Sequence, residues 1–236
     1  MLILALETAT VVSSVAVATE EKLLAEVTAA AKLTHSETLQ PHIAMALEMA
    51  GVRREEIGAV AVSLGPGSFT GLRIGLAAAK AMAYAWQVPL VGAETLASLA
   101  MGCPWPGAKT AALIDAQKGN AYLALYEWRE GTPEALWPAE VVSLERAVGR
   151  LASLKEPVML TGDIVSQKLA LWENLPENLF IAPPAAILPR AASVAALGLR
   201  RLAAGQADNL MGLEPLYIRR SEAEVLWEKR HPEAVS

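Results

Sequence analysis

Gly65-Pro66-Gly67-Ser68-Phe69-Thr70-Gly71-Leu72-Arg73-Ile74-Gly75 is the stretch on which the reading of this chain turns. It follows Ala59–Leu64, an apolar run with the length of one buried strand, and it opens an alanine-rich helix that reaches about Trp86. Two readings of the turn stand side by side. A glycine-rich turn before a helix leaves N–H groups free to cradle an anion. The same glycines equally serve a strand-to-helix turn that needs positive φ. No Gly-Lys-Ser/Thr follows at the spacing of a Walker phosphate loop. The plain turn is favoured, because such turns are common.

Upstream, three short apolar runs, Leu2–Leu6, Ser13–Ala18 and Leu23–Thr28, are separated by polar clusters and predict an antiparallel meander. Leu39, Ile43, Leu47 and Ala50 recur at helical spacing, so a helix is expected over Thr38–Ala50 with Gly51 ending it. Downstream, Val88–Gly92 reads as one more strand, which gives the order β-β-β-α-β-α-β. Cys103-Pro104-Trp105-Pro106-Gly107 interrupts all periodicity and marks a boundary. The pattern then restarts. Strands are expected at Thr110–Asp115, Ala121–Tyr126, Val141–Val142, Val158–Leu160 and Leu179–Ala182, and helices near Leu144–Leu154, Ser166–Trp172 and Ala191–Ala204. The fold class is therefore α/β, with two ribonuclease-H-like β-β-β-α-β-α units, the second degenerate, as in actin-like ATPases (the ASKHA fold) and sugar kinases. Two subdomains are expected, 1–103 with the pairing helices and a smaller one over 104–236.

The helix after the glycine-rich turn carries Gly71, Gly75, Ala79 and Ala83 at intervals of four, a ridge of small residues that lets another helix come close. Leu72 and Leu76 flank it. The preceding helix adds Met45 and Met49, one turn apart and off its apolar stripe; methionine suits adaptable contacts. These eight residues are the expected partner interface, a paired-helix contact with a related subunit. Packing of the two helices within the chain is the alternative. A bulky residue at Gly75 or Ala79 is expected to abolish pairing and leave the fold intact.

Composition bounds what such a chain does. It has 236 residues, 53% apolar and 19% charged, enough to bury a sizeable core. Its net charge of −5 and the lack of any Lys/Arg run longer than a pair, with Arg200-Arg201, Arg219-Arg220 and Lys229-Arg230 the nearest candidates, argue against a main grip on nucleic acid, because phosphate neutralisation supplies most of that affinity. One cysteine, Cys103, excludes an internal disulfide and a thiolate metal site. The apolar start, Met1–Leu6, lacks a basic flank and is far too short to span a bilayer. A cytoplasmic protein without membrane contact is the simple expectation.

Several blocks together carry a resemblance over nearly the whole chain: Leu4–Thr10, Ser14–Val17, His35–Leu39, Ser63–Gly75 with its alanine-rich helix, Asp115–Tyr122, Gly162-Asp163 and Pro215–Arg219. In these the sequence resembles the TsaB family, and Gly65–Arg73 is the most specific of them. The resemblance implies an actin-like fold and a part in forming N6-threonylcarbamoyladenosine at position 37 of ANN-decoding tRNAs. It implies pairing with the paralogous transferase TsaD, an assembly joined by the ATPase TsaE, self-association through the same helices, and only indirect contact with tRNA. TsaC or a relative would supply threonylcarbamoyl-adenylate.

The same resemblance implies that this chain is not the catalyst. The paralogous transferase holds its metal through His-x-x-x-His; here Thr95 and Leu99 stand at the aligned positions, and neither replaces an imidazole. Only His35, His42 and His231 exist; His35 and His42 are read as solvent-facing or capping residues, and no His-Glu-x-x-His motif occurs. No catalytic residue, metal ligand or required cofactor is assigned. Weak ATP or ADP binding with Mg²⁺ stays open through the two β-turns that grip phosphates in actin-like ATPases; its candidates are Thr8, Thr10, Ser13, Asp115 and Gly119. For Asp115 the plain reading is a turn-capping carboxylate, and Glu7 reads as a hydrogen-bonded acid at a strand end. A small ATP-dependent kinase and an M22-type metallopeptidase are the competing functions.

Overall fold

The structure is a computed structural model that describes residues 1–30, 34–167, 172 and 174–219. Arg220, Lys229, Arg230, His231 and most of the end of the helix expected over Ser166–Trp172 lie outside the described residues.

The chain builds one pattern twice. In the first unit β1 (Ile3–Glu7), β2 (Val12–Ala18) and β3 (Leu23–Ala30) form the meander, followed by α1 (His35–Ala50), β4 (Ala59–Gly65), α2 (Phe69–Trp86) and β5 (Leu90–Glu94). The second has β6 (Lys109–Asp115), β7 (Asn120–Arg129), β8 (Thr132–Ser143), α4 (Leu144–Ala152), β9 (Val158–Thr161), α5 (Asp163–Gln167) and β10 (Leu179–Ile181). Strand orders are β3-β2-β1-β4-β5 and β10-β9-β6-β7-β8, the same order read from opposite edges. In each sheet the three meander strands run antiparallel and the two later strands add parallel. The fold is that of the actin-like ATPases.

Alternation along the central strands explains why each sheet is covered on both faces. Leu4, Leu6, Val15, Val17, Val60 and Val62 point to α1 and α2, while Ile3, Ala5, Ala16, Ala59 and Ala61 point the other way. That other face receives α6 (Ala191–Ala203), which comes from the far end of the chain. Conversely α3 (Thr95–Met101), directly after β5, lies on the second sheet against Ala112, Ile114 and Tyr122. The two exchanged helices also touch each other. Strands change sheet around Cys103–Gly107, but residues 191–216 return to the first unit and do not stay in the 104–236 subdomain expected for them. The reason is packing: α6 buries Ala191, Val194, Ala195 and Leu199 on the alanine-rich face of the first sheet, and Glu26 and Ser14 of that sheet accept from the backbone N–H groups of Ala192 and Ala191 at its start.

The third strand of the second unit is twelve residues long, where only Val141–Val142 was expected. Its Pro133 and Pro138 hide it from a strand reading, yet β8 is an edge strand, where a missing N–H costs little. The hairpin before it turns through Glu130 and Gly131, both at positive φ. The first helix starts three residues earlier than expected, because the Glu37 carboxylate accepts from the Thr34 backbone N–H at 3.0 Å.

Candidate functional site

Two surfaces are distinctive: a cleft between the units, and the outer face of α1 and α2. The cleft has a volume of about 740 Å³. One wall is the β1–β2 turn (Ala9, Thr10, Val11), the start of α1 (Thr34, His35) and the Gly67–Thr70 turn; the other is Ile114–Gln117, Tyr122, Asp163 and Gln167. Leu216, Tyr217 and Arg219 complete it.

The glycine-rich turn is where backbones meet. A Cβ on Gly67 would sit 2.2 Å from the Ala9 carbonyl oxygen, and Ser68 N–H donates to that oxygen at 2.6 Å. Ser68 then caps α2 by accepting from Gly71 N–H at 3.3 Å. Among the five nucleotide candidates, Thr10 and Asp115 line the cleft. Thr8 is fully buried, its hydroxyl donating to the Gly71 carbonyl at 2.8 Å; Ser13 is buried against His42 Nδ1 at 3.0 Å; Gly119 sits exposed on the β6–β7 turn, off the cleft wall.

An ATP–magnesium pair is what this fold implies, and the residues do not fit it. Phosphate needs unengaged donors, yet the N–H groups of Thr8, Ala9 and Val12 already bond Ser63 Oγ, Glu7 Oε1 and Thr10 Oγ1. In the second turn Gln117 N–H donates to Asp115 Oδ1 and Asp115 N–H to Asp163 Oδ1, both at 3.0 Å. Burial pushes the Asp163 carboxyl above its usual range. Arg219, on the cleft wall, gives an N–H to the Ala116 carbonyl. Glu7 is wholly enclosed at the end of β1; burial raises it to about 7, against the Ala9 N–H bonded to its Oε1 and the neighbouring Ser63 hydroxyl and Thr8 N–H that lower it, and its Oε2 has no partner.

Among the described residues, His35 and His42 are both half-buried and hydrogen-bonded. His35 donates from Nε2 to the Thr10 carbonyl at 2.7 Å, and its Nδ1 is enclosed without a partner. Thr95 and Leu99 are buried structural residues of α3: Thr95 Oγ1 accepts from Gly65 N–H at 3.1 Å, and Leu99 belongs to the core of the second sheet. No group of three His, Cys, Asp or Glu that could hold a metal occurs among the described residues.

The small-residue ridge faces inward, against expectation. Gly71, Leu72, Gly75, Leu76, Ala79 and Ala83 are all buried within the chain. A Cβ on Gly71 would meet Thr8 O at 2.1 Å and one on Gly75 would meet Thr8 Oγ1 at 2.2 Å, so the glycines let α2 lie close against Thr8, just past the end of β1. Met45 and Met49 are the two members of the set that are exposed, 47% and 65%. The stripe α2 presents outward is Arg73, Ala77, Ala81, Tyr84 and Ala85, at helical spacing, with Tyr84 66% exposed. Sequence spacing alone could not distinguish the two alanine stripes, because both repeat every four residues.

Residues 22–227 match the family described as TsaD, tRNA N6-adenosine threonylcarbamoyltransferase. The chain is 30% identical over 228 residues to the tRNA threonylcarbamoyladenosine biosynthesis protein TsaB of Bacillus subtilis (strain 168), covering 96% of this chain and 98% of that one. It is 28% identical to the protein of the same name from Escherichia coli (strain K12), covering 97% and 98%. Among solved structures, YeaZ from Pseudomonas aeruginosa superposes with a TM-score of 0.75 at 26% identity, covering 92% and 99%. No helix among the described residues is long and apolar enough to cross a membrane. With a match that spans most of its length and curated relatives that are covered almost completely, the chain belongs to the TsaB family, within the wider group of threonylcarbamoyltransferase-like proteins.

Proposed function

We propose that this chain is a non-catalytic accessory subunit in the biosynthesis of threonylcarbamoyladenosine on tRNA. Its outer α1–α2 face pairs with the transferase TsaD; the ATPase TsaE joins that assembly, and two copies of the chain pair through the same face when the transferase is absent. The observation that carries this reading is the stretch of side chains on that face, Ala44, Met45 and Met49 on α1 beside Ala77, Ala81, Tyr84 and Ala85 on α2. Small residues and flexible methionines at adjacent helical positions suit close packing against a second helix pair. The chain requires no cofactor and handles tRNA only through its partners: Thr95 and Leu99 occupy core positions where the transferase's metal ligands would align, the Ala9, Val12 and Gln117 N–H groups of the cleft turns are engaged, and the net charge is −5. It works in the cytoplasm.

Reconstitution tests this. Purified TsaD, TsaE and a threonylcarbamoyl-adenylate source are assayed on unmodified tRNA with and without the chain. Modification that depends on the chain, and none by the chain alone, is expected. Full modification without it, or modification by the chain alone, would overturn the reading.

A further inference from the structure

The last described residues do something that neither sheet accounts for. After α6 the chain runs back along α2: Asp208 is fixed to β5 by Arg201 and by the Gly92 N–H, and Lys80 Nζ donates to the Met211 carbonyl. Leu216 N–H then donates to the Leu64 carbonyl at 2.7 Å, close enough that a Cβ on Gly65 would stand 2.9 Å from Leu216 O. Tyr217 stacks on Phe69 with ring centroids 4.8 Å apart and accepts from Arg73 Nε at 3.0 Å, while the Arg73 guanidinium lies 3.8 Å over the Phe69 ring. All of these contacts belong to the first unit. Two residues later Arg219 donates to the Ala116 carbonyl in the β6–β7 turn, and Ile218 packs against the cluster formed by α3 and the second sheet.

We propose that residues 215–219 are a strap that holds the two units closed over the cleft, anchored on the first unit by Tyr217 and latched to the second by Arg219. Three of its members, Leu216, Tyr217 and Arg219, line the cleft, so the strap is part of its wall as well as its tie. The two ends differ in strength. The Tyr217 end combines ring stacking, a guanidinium contact and two hydrogen bonds, whereas among the described residues the latch rests on a guanidinium–carbonyl bond and the half-buried Ile218. Segments with few buried apolar contacts open at low free-energy cost. Opening therefore frees Arg219 from Ala116 while Tyr217 stays on α2, and the cleft becomes accessible without unfolding either sheet.

Hydrogen exchange read by mass spectrometry on the full chain tests this with Arg219→Ala. Exchange in peptides covering 114–122 and 215–219 should rise roughly tenfold, the factor that loss of one hydrogen bond to a charged group gives. Peptides from β1, β4 and α6 should not change, and the radius of gyration from solution X-ray scattering should increase. Tyr217→Phe, which keeps the ring and loses only the bond from Arg73, should give the same localised rise at smaller size; it serves if Arg219→Ala does not fold. Unchanged exchange at 114–122 in the variants that fold, or a rise spread evenly over the chain, overturns the strap.

Discussion

Thr8 and Gly71 are locked together through a hydroxyl and a carbonyl: Thr8 Oγ1 donates to Gly71 O at 2.8 Å, and both groups are buried. One turn further along α2, a Cβ on Gly75 would stand 2.2 Å from the same Oγ1. Glycine at 71 and 75 is thus a requirement of the chain's own packing. Gly75→Ala should lower the unfolding free energy by about 1–3 kcal/mol, the usual cost of forcing extra volume into a close-packed core; the better helix propensity of alanine offsets part of it. Gly75→Leu should cost more and reduce soluble yield. Urea denaturation monitored by circular dichroism measures both. A variant as stable as the parent would mean that Thr8 yields freely, and the ridge would again be available to a partner.

On the outer face the same logic runs in the other direction. Met49 and Ala81 are exposed, so Met49→Glu and Ala81→Glu place a carboxylate in water in the free chain and in an apolar contact if the face pairs. Each should leave the thermal midpoint within a few degrees and weaken association with TsaD, or with a second copy, by roughly tenfold or more. Sedimentation velocity and co-purification give the answer. Retained pairing in both variants would move the interface elsewhere.

Glu7 makes stability depend on pH. Its folded value of about 7 lies above the ordinary glutamate value of about 4.3. Between those limits the folded state holds a proton that the unfolded state has released, so stability is greatest below the lower value and falls as pH rises to about 7. At about 1.4 kcal/mol for each unit of separation, the loss is on the order of 3 kcal/mol. Glu7→Gln keeps an acceptor for the Ala9 N–H and removes the titration. Urea denaturation of both proteins at pH 5 and pH 8 should show the variant gaining on the parent by about that amount at the higher pH. An equal difference at the two pH values would assign the carboxyl an ordinary ionisation.

The repeated strand–helix order was legible because buried central strands are short, apolar and bounded by polar turns, and α2 because its helix follows a run of glycines. What escaped was set by tertiary packing. Pro133 and Pro138 speak against a strand until β8 is known to be an edge. The exchange of α3 and α6 between sheets leaves no local mark, since an apolar stripe does not say which sheet will cover it. The ridge of Gly71, Gly75, Ala79 and Ala83 was found at the right spacing and placed on the wrong side, because small residues serve a backbone approached from within as well as from without. Thr34 and Glu37 did carry a readable signal, the spacing of a capping box.

Arg201 and Asp208 tie the chain's return to the first sheet. Two guanidinium nitrogens reach the two carboxylate oxygens at 2.9 Å; Asp208 also accepts from Gly92 N–H, and Arg201 donates to Gly92 O, both at 2.7 Å. Asp208 is only partly exposed, and its partner Arg201 and the Gly92 amide counter the burial that would otherwise raise its carboxyl, leaving it below the usual range. Arg201→Ala should cost about 1–3 kcal/mol, as expected for a bidentate pair that also satisfies backbone groups, after allowance for solvent at the arginine. Asp208→Ala should cost a similar amount, and the double variant less than the sum of the two. Simple additivity in urea denaturation would mean that the pair is not coupled.

The cleft gives the final expectation. The Ala9, Val12 and Gln117 N–H groups of its turns are engaged, its acids are Asp115 and Asp163, and Arg219 on its wall is bonded to Ala116, so a triphosphate meets carboxylates beside donors that are already bonded. Titration calorimetry of the isolated chain with ATP and Mg²⁺ should show a dissociation constant in the millimolar range or no heat, and Asp115→Ala, which removes one repelling charge, should not weaken whatever binding exists. A micromolar constant that is lost in Asp115→Ala would make Asp115 a magnesium-organising residue and would revive the kinase reading of this fold.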